Sequence, residues 1–353
     1  MDKLVERTPE ARSPLVTAPA LAVQFFLIPL AVVAITAGIY LGFRMLLADD
    51  RSAQEYLADV RYGAREHQWP AAYELSQRML DPEVRADRAF VPVLVRAFEE
   101  ARDGDPRVRR YLALAIGRMD PPMTPDAIAA LSRSLEEPEK VWTPDLFDRM
   151  TGWNEVTLVE ARIAAIWALG SSGDPSVVPL IQRLYGSTDD GIRKMVVYAL
   201  GALPGDDQTG TLRTGLHDSV ADVRWNAAVA LARHGNREGV PVLSQMLDRN
   251  YLAQWVHADP QSGADADPAG EVVITGLQAA AALREQSLRG SVEVLSRQDL
   301  SMRVRQAALE ALKVMGDVNG SSSDFRLSAL VGSWLLIDSG SWPKAERQKS
   351  KAD

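Results

Sequence analysis

The chain has 353 residues, with 39 Lys and Arg against 47 Asp and Glu, a formal charge of −8, four histidines and no cysteine. This acidic balance offers no basic face to nucleic-acid phosphates, so no nucleic-acid partner is expected. Without cysteine there is no disulfide, thiolate metal site or cysteine nucleophile, and none of His67, His217, His234 and His257 stands four positions from another, as a two-histidine helical metal motif requires.

Residues 1–20 read as a short polar-to-apolar tail, and no charged residue falls between Ser13 and Phe43. Val23–Phe43 is an uncharged, mostly apolar stretch that would span ~31 Å as a helix, matching a bilayer core. It is too long for a cleaved signal peptide and has no polar stripe, so residues 21–47 are predicted to form a transmembrane helix. Lys3, Arg7 and Arg12 on one side balance Arg44, Arg51 and Arg61 on the other, so orientation is not readable. The expectation is a single-pass protein of the bacterial inner membrane, with the rest of the chain leaning to the cytoplasmic face.

Residues 50–83 read as two antiparallel helices, given apolar surface by Trp69, Tyr73 and Leu75. From residue 84 to 318 one phrase recurs. Its clearest copies are Ile192-Arg193-Lys194-Met195-Val196-Val197-Tyr198-Ala199-Leu200-Gly201 and Val223-Arg224-Trp225-Asn226-Ala227-Ala228-Val229-Ala230-Leu231-Ala232, offset by 31 residues. Apolar positions at i, i+4 and i+8 give a helix with one buried stripe, which a single copy cannot hide and a stacked neighbour can. Six copies place anchor residues at Ile116, Leu169, Leu200, Leu231, Leu283 and Leu312. A preceding helix is marked by Pro92, Pro179 and Pro241, each suited to a first turn, so the unit is helix A, turn, helix B, turn. Asp105-Pro106 and Asp174-Pro175 read as N-caps followed by first-turn prolines.

Two anchor spacings, 53 and 52, are long by about one helix, which places insertions near 137–158 and 250–271. Both fall in the A-to-B turn. All such turns lie along one edge of a stacked array, so both insertions project from that edge. They carry Trp142, Phe147, Trp153, Tyr251 and Trp255, aromatic residues of the kind that anchor protein interfaces. They could instead fold back on the array. His257, Asp259, Asp265 and Asp267 do not have calcium-loop spacing.

The D-x-x-V-R-x-x-A-x-x-A-L phrase resembles HEAT repeats, in particular the short type named after phycobilisome bilin lyases. The resemblance implies an all-α fold, an α-solenoid of helix pairs here preceded by one transmembrane helix. It also brings alternatives: a lyase-like enzyme or chaperone handling a tetrapyrrole, or a HEAT-like DNA glycosylase, the latter at odds with the acidic charge.

Arg109, Arg162, Arg193, Arg224 and Arg305 each stand seven residues before an anchor and form a column along helix B. Such a column is either an anion-binding stripe or an internal ladder to Asp105, Asp189, Asp222 and neighbouring helix C-termini. The periodicity and acidic balance favour the ladder. Gly276 interrupts it beside the second insertion. Residues 319–353 read as a flexible link, an apolar capping segment over Phe325–Ile337 that is too short to cross a bilayer, and a polar tail. No phosphate loop, nucleophile elbow, zinc-helix motif or dinucleotide fingerprint occurs. The sequence therefore predicts a scaffold gripping a protein of a membrane-associated complex through its insertion edge, with no catalysis and no cofactor.

Overall fold

The computed structural model describes residues 28–47, 51–137, 155–256 and 267–316. The chain divides into two compact units, Met1–Ser52 and Ala53–Asp353.

In the first unit, α1 (Ile28–Leu47) is one helix with Leu30, Val32, Val33, Ile35, Ile39 and Tyr40 exposed. It corrects the expectation of a transmembrane helix over Val23–Phe43. The apolar part of α1, Ile28–Phe43, is about 24 Å long, short of the ~30 Å hydrocarbon core. Beyond it the helix takes in Arg44. Among the described residues no helix is long and apolar enough to cross a membrane. The single-pass inner-membrane placement falls with it.

The second unit is helical throughout its described residues. It opens with α2 (Ala53–Tyr62), α3 (Arg65–Arg78) and the single turn α4 (Pro82–Arg85). Six A/B pairs follow among the described residues. They are α5 (Val91–Glu100) with α6 (Pro106–Gly117), α7 (Pro125–Glu136) with α8 (Glu155–Gly170), and α9 (Val178–Leu184) with α10 (Asp190–Ala202). Then come α11 (Thr209–Gly215) with α12 (Ala221–Arg233), and α13 (Val240–Met246), a single turn α14 (Arg249–Leu252) and α15 (Pro268–Leu283). The last pair is α16 (Arg289–Gln298) with α17 (Met302–Gly316). Side-chain N-caps start many of these helices where the sequence places an acid. Asp105 accepts from the Arg107 N–H, Asp189 from Ile192 and Asp267 from Gly270.

The B helices stack in order: α3 on α6, then α8, α10, α12, α15 and α17, each touching the next. Their anchors form the spine of the core. Leu169, Leu200 and Leu231 are fully buried, and Ile116 and Leu283 nearly so. Each such side chain contributes roughly 1.5–3 kcal/mol by leaving water. Leu312, in the last described helix, is only partly buried, because no further described B helix covers it.

In three successive repeats the stacking distance is set by one glycine. Gly170 and Gly201 directly follow anchors and touch the next B helix. A Cβ at Gly170 would lie 2.7 Å from the Ala199 Cβ, and one at Gly201 would lie 2.5 Å from the Ala230 Cβ. Gly117 meets Trp167 and Ala168 in the same way, at 2.5 and 2.8 Å. The glycine after each of the anchors Ile116, Leu169 and Leu200 thus faces the alanine before the next one. This close approach is the physical reason for the Ala-rich, Gly-ended phrase.

Candidate interaction edge

The N-terminal ends of the B helices, where the A-to-B turns enter, line one edge. The arginine column stands here. In three repeats the arginine does the same work. Arg193 donates to the carbonyls of Ser187 and Thr188, both at 3.1 Å. Arg224 donates to those of Asp218 at 2.8 Å and Ser219 at 3.0 Å, and Arg305 to those of Asp299 and Leu300. Each reaches back six and five positions and satisfies carbonyls of the turn that leads from helix A into helix B.

Arg162 makes the same connection across the first insertion, bonding the carbonyls of Leu135 and Glu137 at 3.3 Å each. Arg109, one repeat earlier, forks onto the Glu137 carboxylate with bonds of 3.1 and 3.2 Å. Two members of the column therefore hold the residue from which the first insertion departs.

The carboxylate partners differ from those expected. Asp105 caps its helix and pairs with the Arg107 side chain at 3.0 Å, Asp189 caps its helix, and Asp222 pairs with Lys194 at 2.9 Å. Arg193 instead takes Asp218, from the next A-to-B turn, with two bonds of 2.9 and 3.1 Å. The Tyr185 hydroxyl donates to the same carboxylate at 2.9 Å. Burial works to raise the Asp218 pKa, but Arg193, the Val220 N–H and Tyr185 outweigh it and hold it below the usual range. Burial and the facing Asp218 push the Tyr185 phenol up to about 12.

At the second insertion the column breaks at Gly276. A Cβ there would come within 3.0 Å of the Met246 Cβ, so an arginine has no room on this close helix crossing. Arg249, which sequence reasoning did not single out, takes over the position's role. It donates two 2.8 Å bonds to Asp267 and two to Asp299. Asp299 is almost fully buried, its side chain 2% exposed, and Arg249 neutralises it there. Arg249 and Asp267 bracket the second insertion, so this clamp closes its root.

Of the aromatic residues expected to bind a partner, Trp142, Phe147 and Trp153 lie outside the described residues, as do His257, Asp259 and Asp265. Tyr251 and Trp255 are brought together, with ring centroids 6.3 Å apart. Tyr251 is half-buried against the core, and Trp255 is 47% exposed. Arg224 joins them. Its guanidinium lies 5.0 Å from the centre of the Trp255 ring and donates to the Tyr251 hydroxyl at 3.5 Å. One column arginine thus supports both the A-to-B turn of its own repeat and the aromatic start of the second insertion.

Residues 157–222 match HEAT repeats, and residues 223–249 match the PBS lyase HEAT-like repeat. The chain carries HEAT-like repeats. Its all-helical A/B pairs fit an α-solenoid, and HEAT-like repeats fit a scaffold or protein-interaction role. Comparison with curated proteins gave no match. Among solved structures it is similar to human deoxyhypusine hydroxylase in complex with glycerol, at 15% identity and a TM-score of 0.28, over 74% of this chain and 95% of that one. That structure is of an enzyme, so the expectation that this chain is not one is withdrawn. At this TM-score the likeness carries no argument about activity.

Proposed function

We propose that the HEAT-like array is a protein-interaction scaffold that takes its partner along the A-to-B edge, through the insertions at 137–158 and 250–271. The observation that carries this reading is the set of arginine clamps at the insertion roots. Arg109 and Arg162 hold Glu137, and Arg249 joins Asp267 to Asp299. Loops that leave from fixed roots on a shared edge keep a constant relation to one another, which lowers the ordering cost of a two-point contact. Arg224 lies against the half-exposed Trp255, and tryptophan and arginine are among the residues enriched where binding energy concentrates in interfaces.

The test replaces residues 138–154 in one variant and 257–266 in another by short Gly-Ser turns. The full chain and both variants are then isolated from native cells after mild cross-linking. One protein recovered with the full chain and lost with either replacement, at unchanged helicity, supports the reading. Unchanged recovery with both replacements refutes it.

A further inference from the structure

The last described B helix, α17, leaves open a face that the five preceding B helices bury. The residue three before each anchor stands four positions ahead of the one that meets the next B helix, and so lies on the same face. In the five earlier copies this residue is Ala113, Ile166, Val197, Ala228 or Ala280, and each is 0% exposed. The ion pairs from Arg110 to Glu160 and from Lys194 to Asp222, both 2.9 Å, cross to the next B helix along that face. In α17 the corresponding residue is Leu309, and it is 53% exposed. Met302, seven positions earlier and therefore on the same side of the helix, is 71% exposed. The end repeats of a solenoid carry a polar outer face. A leucine at this position instead has the character of a covered helix.

The size of the face selects its cover. α17 is about 22 Å long and about 10 Å across, so its outer side offers roughly 220 Å². A standard interface between separate chains takes about 800 Å² from each partner. A segment of the same chain needs far less, because a short tether holds it at about millimolar local concentration.

Residues 325–337 lie outside the described residues. Their sequence sets Leu327, Leu330, Val331, Trp334 and Leu335 at i, i+3, i+4, i+7 and i+8, one apolar stripe at helical spacing. Residues 317–324 join them to α17 and include Gly320, Ser321, Ser322 and Ser323. Eight residues of that make-up span about 15 Å. Leu309 stands seven residues before Gly316, about 10 Å back along α17. The tether therefore brings the stripe within reach of Leu309.

We propose that the stripe of residues 325–337 folds back on α17, covers Leu309 and Met302, and closes the array. The inference does not depend on the insertion edge.

The test exploits the absence of cysteine. Leu309→Cys places a single thiol on this face of the full chain, and its alkylation by N-ethylmaleimide is timed with and without Leu330→Asp plus Leu335→Asp. The expected result is at least tenfold faster alkylation with the two aspartates, with no dependence on protein concentration. Hydrogen exchange in the chain without the new thiol gives a second readout. Amides of α17 should exchange at least tenfold faster in the aspartate variant, with those of α10 unchanged. Equal alkylation with and without the aspartates, exchange that rises equally in α10 and α17, or protection of position 309 that deepens with protein concentration, as a second copy would give, would each overturn the proposal. The insertion replacements leave residues 325–337 in place, so loss of the edge and loss of this cover read out separately.

Discussion

Arg249 and Asp267 are 18 residues apart in the chain, and two parallel 2.8 Å bonds join their side chains. The same guanidinium makes two more bonds to Asp299, which belongs to the next A-to-B turn. One side chain therefore closes the second insertion and ties it to the following repeat. Arg249→Ala would leave Asp299 buried without its counter-charge. The expected loss is about 2–3 kcal/mol of unfolding free energy, read by urea denaturation. Arg249→Lys should recover less than half of it, because an ammonium cannot fork onto two carboxylates. A loss below about 0.5 kcal/mol for the alanine variant would show that the clamp does not operate in solution.

The clamps also predict a pH dependence. Bonding to Arg249 holds the Asp267 pKa below its ordinary value, and Asp218 is lowered as well. Both carboxyls ionise more readily in the folded chain than in the unfolded one. Their contribution is complete above the unfolded aspartate value of about 3.9 and is lost as pH falls through their lower folded values. Asp267→Asn should be less stable than the parent at pH 7, and the difference in melting temperature should shrink as pH drops below about 4. A difference that stays constant from pH 7 to pH 3 would contradict this.

Arg284 closes α15 in the left-handed region, with φ 47°. At the comparable positions after α8 and α12 the chain has Gly173 and Gly235, with φ of 69° and 70°. An L side chain is strained there and glycine is not. Arg284→Gly is expected to raise unfolding free energy by about 1 kcal/mol, measured by chemical denaturation. Destabilisation would mean that the contacts of the Arg284 side chain outweigh its backbone strain.

Gly201 tests the stacking of B helices. A methyl at this position would sit 2.5 Å from the Ala230 Cβ, so α10 and α12 must move apart. Gly201→Ala should cost about 1–3 kcal/mol despite alanine's better helix propensity. Gly210→Ala is the control, because nothing lies within 4 Å of a Cβ there. Equal effects at the two positions would argue against close contact between α10 and α12.

Much of the repeat architecture is legible in the sequence, because the forces that make it are local and periodic. An apolar residue every fourth position, an acid before a first turn and a glycine after an anchor can each be read without knowing what lies opposite. The site is less legible. Arg193 could have paired with Asp189 or Asp222 by sequence distance, but helix capping occupies Asp189, and Asp218 lies across the turn. Arg249 has no periodic counterpart, and only the fold brings it to Asp267 and Asp299. The short helix α11 has few apolar residues, with Leu212 its one fully buried large side chain, so no stripe announces it. Val23–Phe43 misled for the opposite reason: composition alone suggests a span, and among the described residues no helix is long and apolar enough to be one.

The claim on which the account turns is that one edge of the HEAT-like array meets a protein partner through both insertions. Its most direct measurement is site-specific photo-crosslinking in native cells, with the reactive group placed in turn at Trp142, at Trp255 and at Asp206 near the opposite ends of the B helices. The account predicts one shared product from positions 142 and 255 and not that product from 206. Products of equal yield from all three positions, or none from the two insertion positions, would contradict it.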